Sequence, residues 1–109
     1  MVSFEEFKII YNAMHGEPEF EFYFKDSRTT YMLIKYKNKV SFQRCGTYEE
    51  QRGEFYYSSL DDLYVTRTVD DICLKDMWGD IEAIVAEAFY DLSKEEDLAE
   101  LKYVYSLEF

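Results

Sequence analysis

The chain has 109 residues, with 23 acidic against 12 basic side chains and a formal net charge of −11. Aromatic residues make up 19% and apolar residues 48%. Such a chain can build one hydrophobic core, so neither several domains nor acid-driven disorder is expected. No apolar run reaches the roughly 18 residues of a membrane span, and no basic segment leads into an apolar stretch at the start. A cytoplasmic protein is the expectation, and its charge opposes direct binding of nucleic acid or anionic membrane.

Ser3 and Glu6 form a capping box, and Phe4, Phe7, Ile10, Tyr11 and Met14 follow at helical spacing. Gly16 and Pro18 close this first helix, whose C-terminal end carries the only histidine, His15. Glu19 to Phe24 then alternates, with Phe20, Phe22 and Phe24 on one face and Glu19, Glu21 and Tyr23 on the other. Asp26-Ser27-Arg28 reads as a turn, Thr30 to Lys37 as a second strand, and Val40 to Arg44 as a third. Such short connections fit antiparallel neighbours. Gly46 to Gly53 reads as a polar loop containing Tyr48, Glu49 and Glu50, and Glu54 to Ser58 as a fourth strand.

After Ser58 the period changes. Ser59 to Tyr64 reads as one capped helical turn, and Thr66 to Asp71 as irregular or briefly extended. Leu74 to about Tyr90 reads as the strongest helix, with Leu74, Trp78, Ile81, Val85 and Ala88 as its buried stripe. Gly79 weakens that helix by roughly 1 kcal/mol and is read as a point of close approach to the sheet. Ser93 and Glu96 suggest a second capping box, and Tyr103 to Phe109 a closing strand or packed tail. The expected fold is α+β in a single domain, 1–109. It comprises an N-terminal helix with an antiparallel sheet of three to four strands (1–58), then an acidic helical half (59–109).

Cys45 and Cys73 are too few for a disulfide framework and lack C-x-x-C spacing, so two reduced thiols are expected. Residues 1–54 hold nine acidic and eight basic side chains, whereas residues 55–109 hold fourteen and four. That asymmetry, on a half expected to fold, reads either as a solvated charged face or as an acidic interaction surface. Its candidate partner-binding residues are Asp61, Asp62, Asp70, Asp71, Asp76, Asp80, Glu82 and Glu87. The carboxylates lack an EF-hand rhythm, the glycines form no phosphate loop, and no nucleophile and base can be named with His15. No catalytic residue, metal or cofactor is assigned, and the chain is read as a non-enzyme. Lys35, Lys37, Lys39 and Arg44, interleaved with Tyr36 and Phe42, make only a weak basic patch and are read as protecting the solvent face or edge of the sheet.

The stretch Ser59-Leu60-Asp61-Asp62-Leu63-Tyr64, followed by Val69 to Trp78, resembles small acidic uncharacterised proteins of Gram-positive bacteria and their prophages. Val69 and Asp71 stand where their pattern has Ile and Gly, so the tight turn there can differ. In size and charge alone the chain is similar to anti-CRISPR proteins. The likeness transfers no residue role. The leading expectation is an acidic inhibitor that binds a basic nucleic-acid-binding protein, a nuclease or CRISPR effector, with carboxylates where phosphates would lie. The rivals are a self-associating structural or regulatory module, dimerising through its aromatic sheet face or an edge strand, and an immunity protein for a nuclease toxin.

Overall fold

The computed structural model describes residues 1–45 and 55–109. The expected loop 46–53, with Tyr48, Glu49 and Glu50, and the start of the fourth strand at Glu54 lie outside the described residues. Helix α1 (Phe4–Ala13) begins as expected: Ser3 Oγ accepts from the Glu6 amide at 3.1 Å, and Glu6 Oε1 accepts from the Ser3 amide at 2.8 Å. Phe4, Phe7, Ile10, Tyr11 and Met14 are all buried. The helix end is not completed by His15, which is exposed beyond it. Lys35 does that instead, its Nζ donating to the Tyr11 and Met14 carbonyls at 2.8 Å each. Gly16 then turns the chain at φ +81°, a conformation L side chains resist.

Among the described residues the sheet has six antiparallel strands, two more than the upper expectation: β1 (Glu19–Phe24), β2 (Thr30–Lys35), β3 (Val40–Cys45), β4 (Phe55–Tyr57), β5 (Ile81–Ala86) and β6 (Tyr90–Asp91). Their spatial order is β4-β3-β2-β1-β5-β6. Pairing sets Phe22 opposite Tyr31 and Ile84, and Leu33 opposite Phe20 and Phe42, so these side chains share one face. Phe7 of α1 meets Phe20 and Phe22 edge-on, with ring centroids 5.1 and 5.7 Å apart. Each fully buried Phe contributes about 1.5–3 kcal/mol from the area it removes from water.

The long helix expected over 74–90 does not form. The segment divides into a short helix after α2 (Leu60–Val65), namely α3 (Leu74–Met77), then a 3-10 turn at Trp78–Asp80, then β5. The false signal has an identifiable cause. Tyr23 lies opposite Ala83 and Phe24 opposite Ile81, leaving Glu82 as the extra residue of a β-bulge. The bulge brings Ile81 and Ile84, three residues apart, onto the same buried face, a spacing that imitates a helix. Gly79 approaches nothing, since a Cβ there would meet no atom within 4 Å.

The Ser59 cap of α2 is present, its Oγ accepting from the Asp62 amide at 3.0 Å. The next residues make a 3-10 turn (Val69–Asp71) flanked by a bridge between Arg67 and Cys73. Helix α4 (Glu95–Val104) starts after Lys94, without a Ser93–Glu96 box. Ser93 instead donates its amide and hydroxyl to Asp91 Oδ1, at 2.9 and 2.6 Å, and Asp97 accepts from the Asp91 amide at 3.0 Å. Tyr103 to Phe109 finishes the helix and folds back as a tail, with Leu107 and Phe109 against the core; it adds no strand. The second half of the chain is therefore mixed, contributing β5 and β6 as well as helices.

Among the described residues, the helices lie on the Phe20-Phe22-Leu33-Phe42 side of the sheet. α1 packs there directly, α2 stacks on it through Tyr64 against Phe4 at 3.6 Å, and α4 buries Leu101 beside Leu92. The opposite face carries no helix among the described residues. No helix among the described residues is long and apolar enough to cross a membrane.

Candidate interaction surface

The eight acidic candidates separate into three places. Asp61 and Asp62 open α2, where negative charge suits the helix N-terminus. Asp61 already holds Lys8 at 2.6 Å, and Asp62 accepts from Ser58 Oγ at 3.2 Å. Glu87 sits at the far end of β5 from Glu82, accepting the Glu19 amide at 3.0 Å. Five residues of strand put about 17 Å between those two positions. Asp70, Asp71, Asp76, Asp80 and Glu82 belong to the segment that leads from α2 into β5.

Within that segment Asp70 turns toward the fold. Arg44 Nε and Nη2 grip its two oxygens at 2.9 and 2.7 Å, and the Tyr31 hydroxyl donates to Oδ2 at 2.8 Å. Only 31% of the Asp70 side chain and 27% of that of Arg44 is exposed, so this carboxylate is a structural clasp between β2, β3 and the 3-10 turn. Burial and then the Asp70 hydrogen bond push the Tyr31 phenol up to about 12. Asp71 lies 3.9 Å from Arg67, with both side chains mostly in solvent.

Asp76, Asp80 and Glu82 are different. All three are exposed, and none makes an ion pair among the described residues. They bracket Trp78, which is half-buried, donates Nε1–H to the Val2 carbonyl at 3.1 Å, and packs against Phe4 and Phe7. The indole borders a depression of about 680 Å³ that Glu6 and Glu82 line together with Lys25. Lys25 is committed in part, its Nζ donating to the Gly79 carbonyl at 3.2 Å. The 3-10 turn at Trp78–Asp80 and the Glu82 bulge produce this edge: the turn points Asp80 outward, and the extra strand residue frees Glu82 from the alternation.

The basic residues expected to guard the sheet divide between its faces. Lys35 and Arg44 point to the helical side with the partners named above, and burial lowers the Lys35 ammonium. Lys37 is exposed at the β2–β3 turn. Lys39 lies over the ring of Tyr56, 3.8 Å from its centroid, and 5.5 Å from that of Tyr36. Cys45 and Cys73 are free and half-buried; Cys45 is on the helix-free face and Cys73 in the α2–α3 layer, where its Sγ donates to the Tyr64 carbonyl at 3.7 Å.

The helix-free face also holds acidic residues outside the eight candidates: Glu19 and Glu21 on β1, and Asp91 on β6. The alternation of β1 exposes their direction, but only the register shows that Met32, Ile34, Ala83 and Val85 stand beside them. Among the described residues, no group of three or more His, Cys, Asp or Glu is arranged to hold a metal ion. Comparison with known proteins finds no matching family model, no matching curated protein and no matching solved structure.

Proposed function

We propose that the protein is a non-enzymatic acidic inhibitor that binds a basic nucleic-acid-binding protein and occupies its cationic groove, as an anti-CRISPR-like nucleic-acid mimic would. One observation carries this reading: Asp76, Asp80 and Glu82, which flank Trp78 in sequence, are exposed and without ion-pair partners among the described residues, and Glu82 lines the depression that the indole borders. Side-chain carboxylates can take charge-assisted hydrogen bonds from the Arg and Lys that otherwise hold phosphates. Desolvation limits the net value of each pair, and an aromatic anchor at the centre supplies the remaining affinity. Asp61, Asp70 and Asp71, already opposed by Lys8, Arg44 and Arg67, contribute less to this surface than their number suggests.

The test is affinity capture from a cell lysate at low and at high salt, followed by displacement with added DNA. A DNA-binding protein released by salt and by DNA is expected. The triple variant Asp76→Asn/Asp80→Asn/Glu82→Gln should weaken its capture at least tenfold. Undiminished capture by that variant removes the proposed mechanism.

A further inference from the structure

The helix-free face of the sheet has an unusual composition for an outer surface. Four half-buried apolar residues, Met32 and Ile34 on β2 and Ala83 and Val85 on β5, flank Glu19, Glu21 and Tyr23 of β1, the strand between them. An antiparallel sheet covered on one side usually presents polar residues on the other. Two carboxylates, Glu19 and Glu21, stand between these apolar pairs, and a third, Asp91, lies opposite Val85. Lys39 is the cation found on it among the described residues.

One corner is built to hold a positive charge. Ser41 lies between Ile34 and Tyr56 in the register, and Tyr36 and Tyr56 meet edge-on above this small residue, centroids 6.0 Å apart. Lys39 rests on the pair. Beneath them Ser41 is fully buried, and its hydroxyl has no hydrogen-bond partner, a state that ordinarily costs about 1–3 kcal/mol. The hydroxyl is closed off by the residues packed over it, so Lys39 and the two rings, not Ser41, form the surface of this corner.

We infer that this face is a second docking surface, and that its occupant is a cationic amphipathic segment of a basic protein. The inference shares the partner chemistry of the proposed function but uses a different surface. Charge decides against a second copy of the chain: three carboxylates facing three others, with one lysine each, would repel. Size points the same way. The face spans about 24 Å across six strands and about 17 Å along them, well short of the roughly 800 Å² per partner of a standard stable interface. A helix or loop fits it; arginines from that segment reach Glu19, Glu21 and Asp91, and its apolar side chains cover Met32, Ile34 and Val85.

The experiment is a methyl and amide NMR titration of the whole protein with a helical peptide of mixed Arg and Leu, beside an Arg-only peptide of equal charge. The expected result is perturbation of the Met32, Ile34 and Val85 methyls. The mixed peptide should bind at least tenfold more tightly than the Arg-only one. Met32→Lys should lose at least tenfold in affinity, and Glu19→Gln/Glu21→Gln should reproduce part of that loss if the lysine variant fails to fold. Perturbation confined to Asp76, Asp80 and Glu82 would overturn the sheet-face inference and leave the proposed function standing. Concentration-dependent sedimentation with shifts on this face before any peptide is added would give the surface to a second copy and overturn it equally. Failure of both peptides to bind anywhere would count against both readings.

Discussion

The two faces of the sheet use charge in opposite ways. On the helical side, ionisable groups that reach inward are immobilised: Asp70 between Arg44 and Tyr31, Lys35 on the last carbonyls of α1. On the other side the carboxylates of Glu19, Glu21 and Asp91 border apolar positions, and the nearest bonds are local, such as Tyr23 Oη to Glu21 at 2.5 Å. The difference teaches that acidity alone does not define a surface for a partner. A carboxylate held by a guanidinium and a phenol is part of the scaffold, whereas one beside half-buried apolar side chains, held by nearby Tyr or Ser groups as Glu21 and Asp91 are, keeps hydrogen-bonding capacity for a partner.

The largest expected effect belongs to the centre of the covered face. Phe22 is fully buried and meets Phe7, Phe42 and Trp78. Phe22→Ala should cost about 3–5 kcal/mol in denaturant unfolding, since the cavity adds to the lost transfer energy. Domains of this size hold about 5–15 kcal/mol in total, so the variant should be close to unfolding. A loss under about 1 kcal/mol would mean the helices are not what stabilises the sheet.

Next comes the Asp70 clasp. Asp70→Asn keeps the shape but removes the charge from the Arg44 fork, and should cost about 1–2 kcal/mol, the lower part of the range for charged hydrogen bonds because both side chains are partly solvated. The same site has a signature in pH. The folded-state phenol of Tyr31 is raised above its ordinary 10.0 to about 12. The stability gained by keeping it neutral is therefore complete below about pH 10 and disappears as pH climbs toward 12. Tyr31→Phe should flatten part of that alkaline decline in urea unfolding measured from about pH 9 to 12. Tyr11, Tyr23, Tyr57 and Tyr64 are raised too and supply the remainder. An unchanged slope would show that the Tyr31 phenol is not raised by its burial and its bond to Asp70.

These contrasts also explain which parts of the molecule could be read from the residues. α1 and the first three strands were legible, because Ser3–Glu6, the Phe20-Phe22-Phe24 alternation and the short turns all point to one arrangement. β5 and β6 were not. The Glu82 bulge converts a two-residue period into a three-residue step, and the hairpin that follows has no Asn-Gly or Asp-Gly to announce it. Glu87 and Ala88 instead take φ of +57° and +54°, which non-glycine residues seldom adopt. The acidity of the candidate surface was legible as composition. Its division was not, because the partners of Asp61 and Asp70 stand 53 and 26 residues away in sequence, at Lys8 and Arg44. The sheet face was half legible: β1 showed where its glutamates point, but strand register alone sets Met32 across from Glu21.

The smallest effect, at Ile34, is read against its neighbour across a single peptide bond. Leu33 is fully buried on the helical side, while Ile34, its neighbour, is half-buried on the other. Leu33→Ala should cost about 2–5 kcal/mol, as buried truncations do. Ile34→Thr preserves the branched side chain that suits a strand and should stay within about 0.5 kcal/mol, the range of ordinary surface changes. Equal losses would mean that Ile34 is covered in solution, and sedimentation of the same samples at two concentrations would then show whether another copy covers it. Unequal losses, with weaker binding of the mixed Arg and Leu peptide to Ile34→Thr, would separate what β2 does for the fold from what it offers a partner.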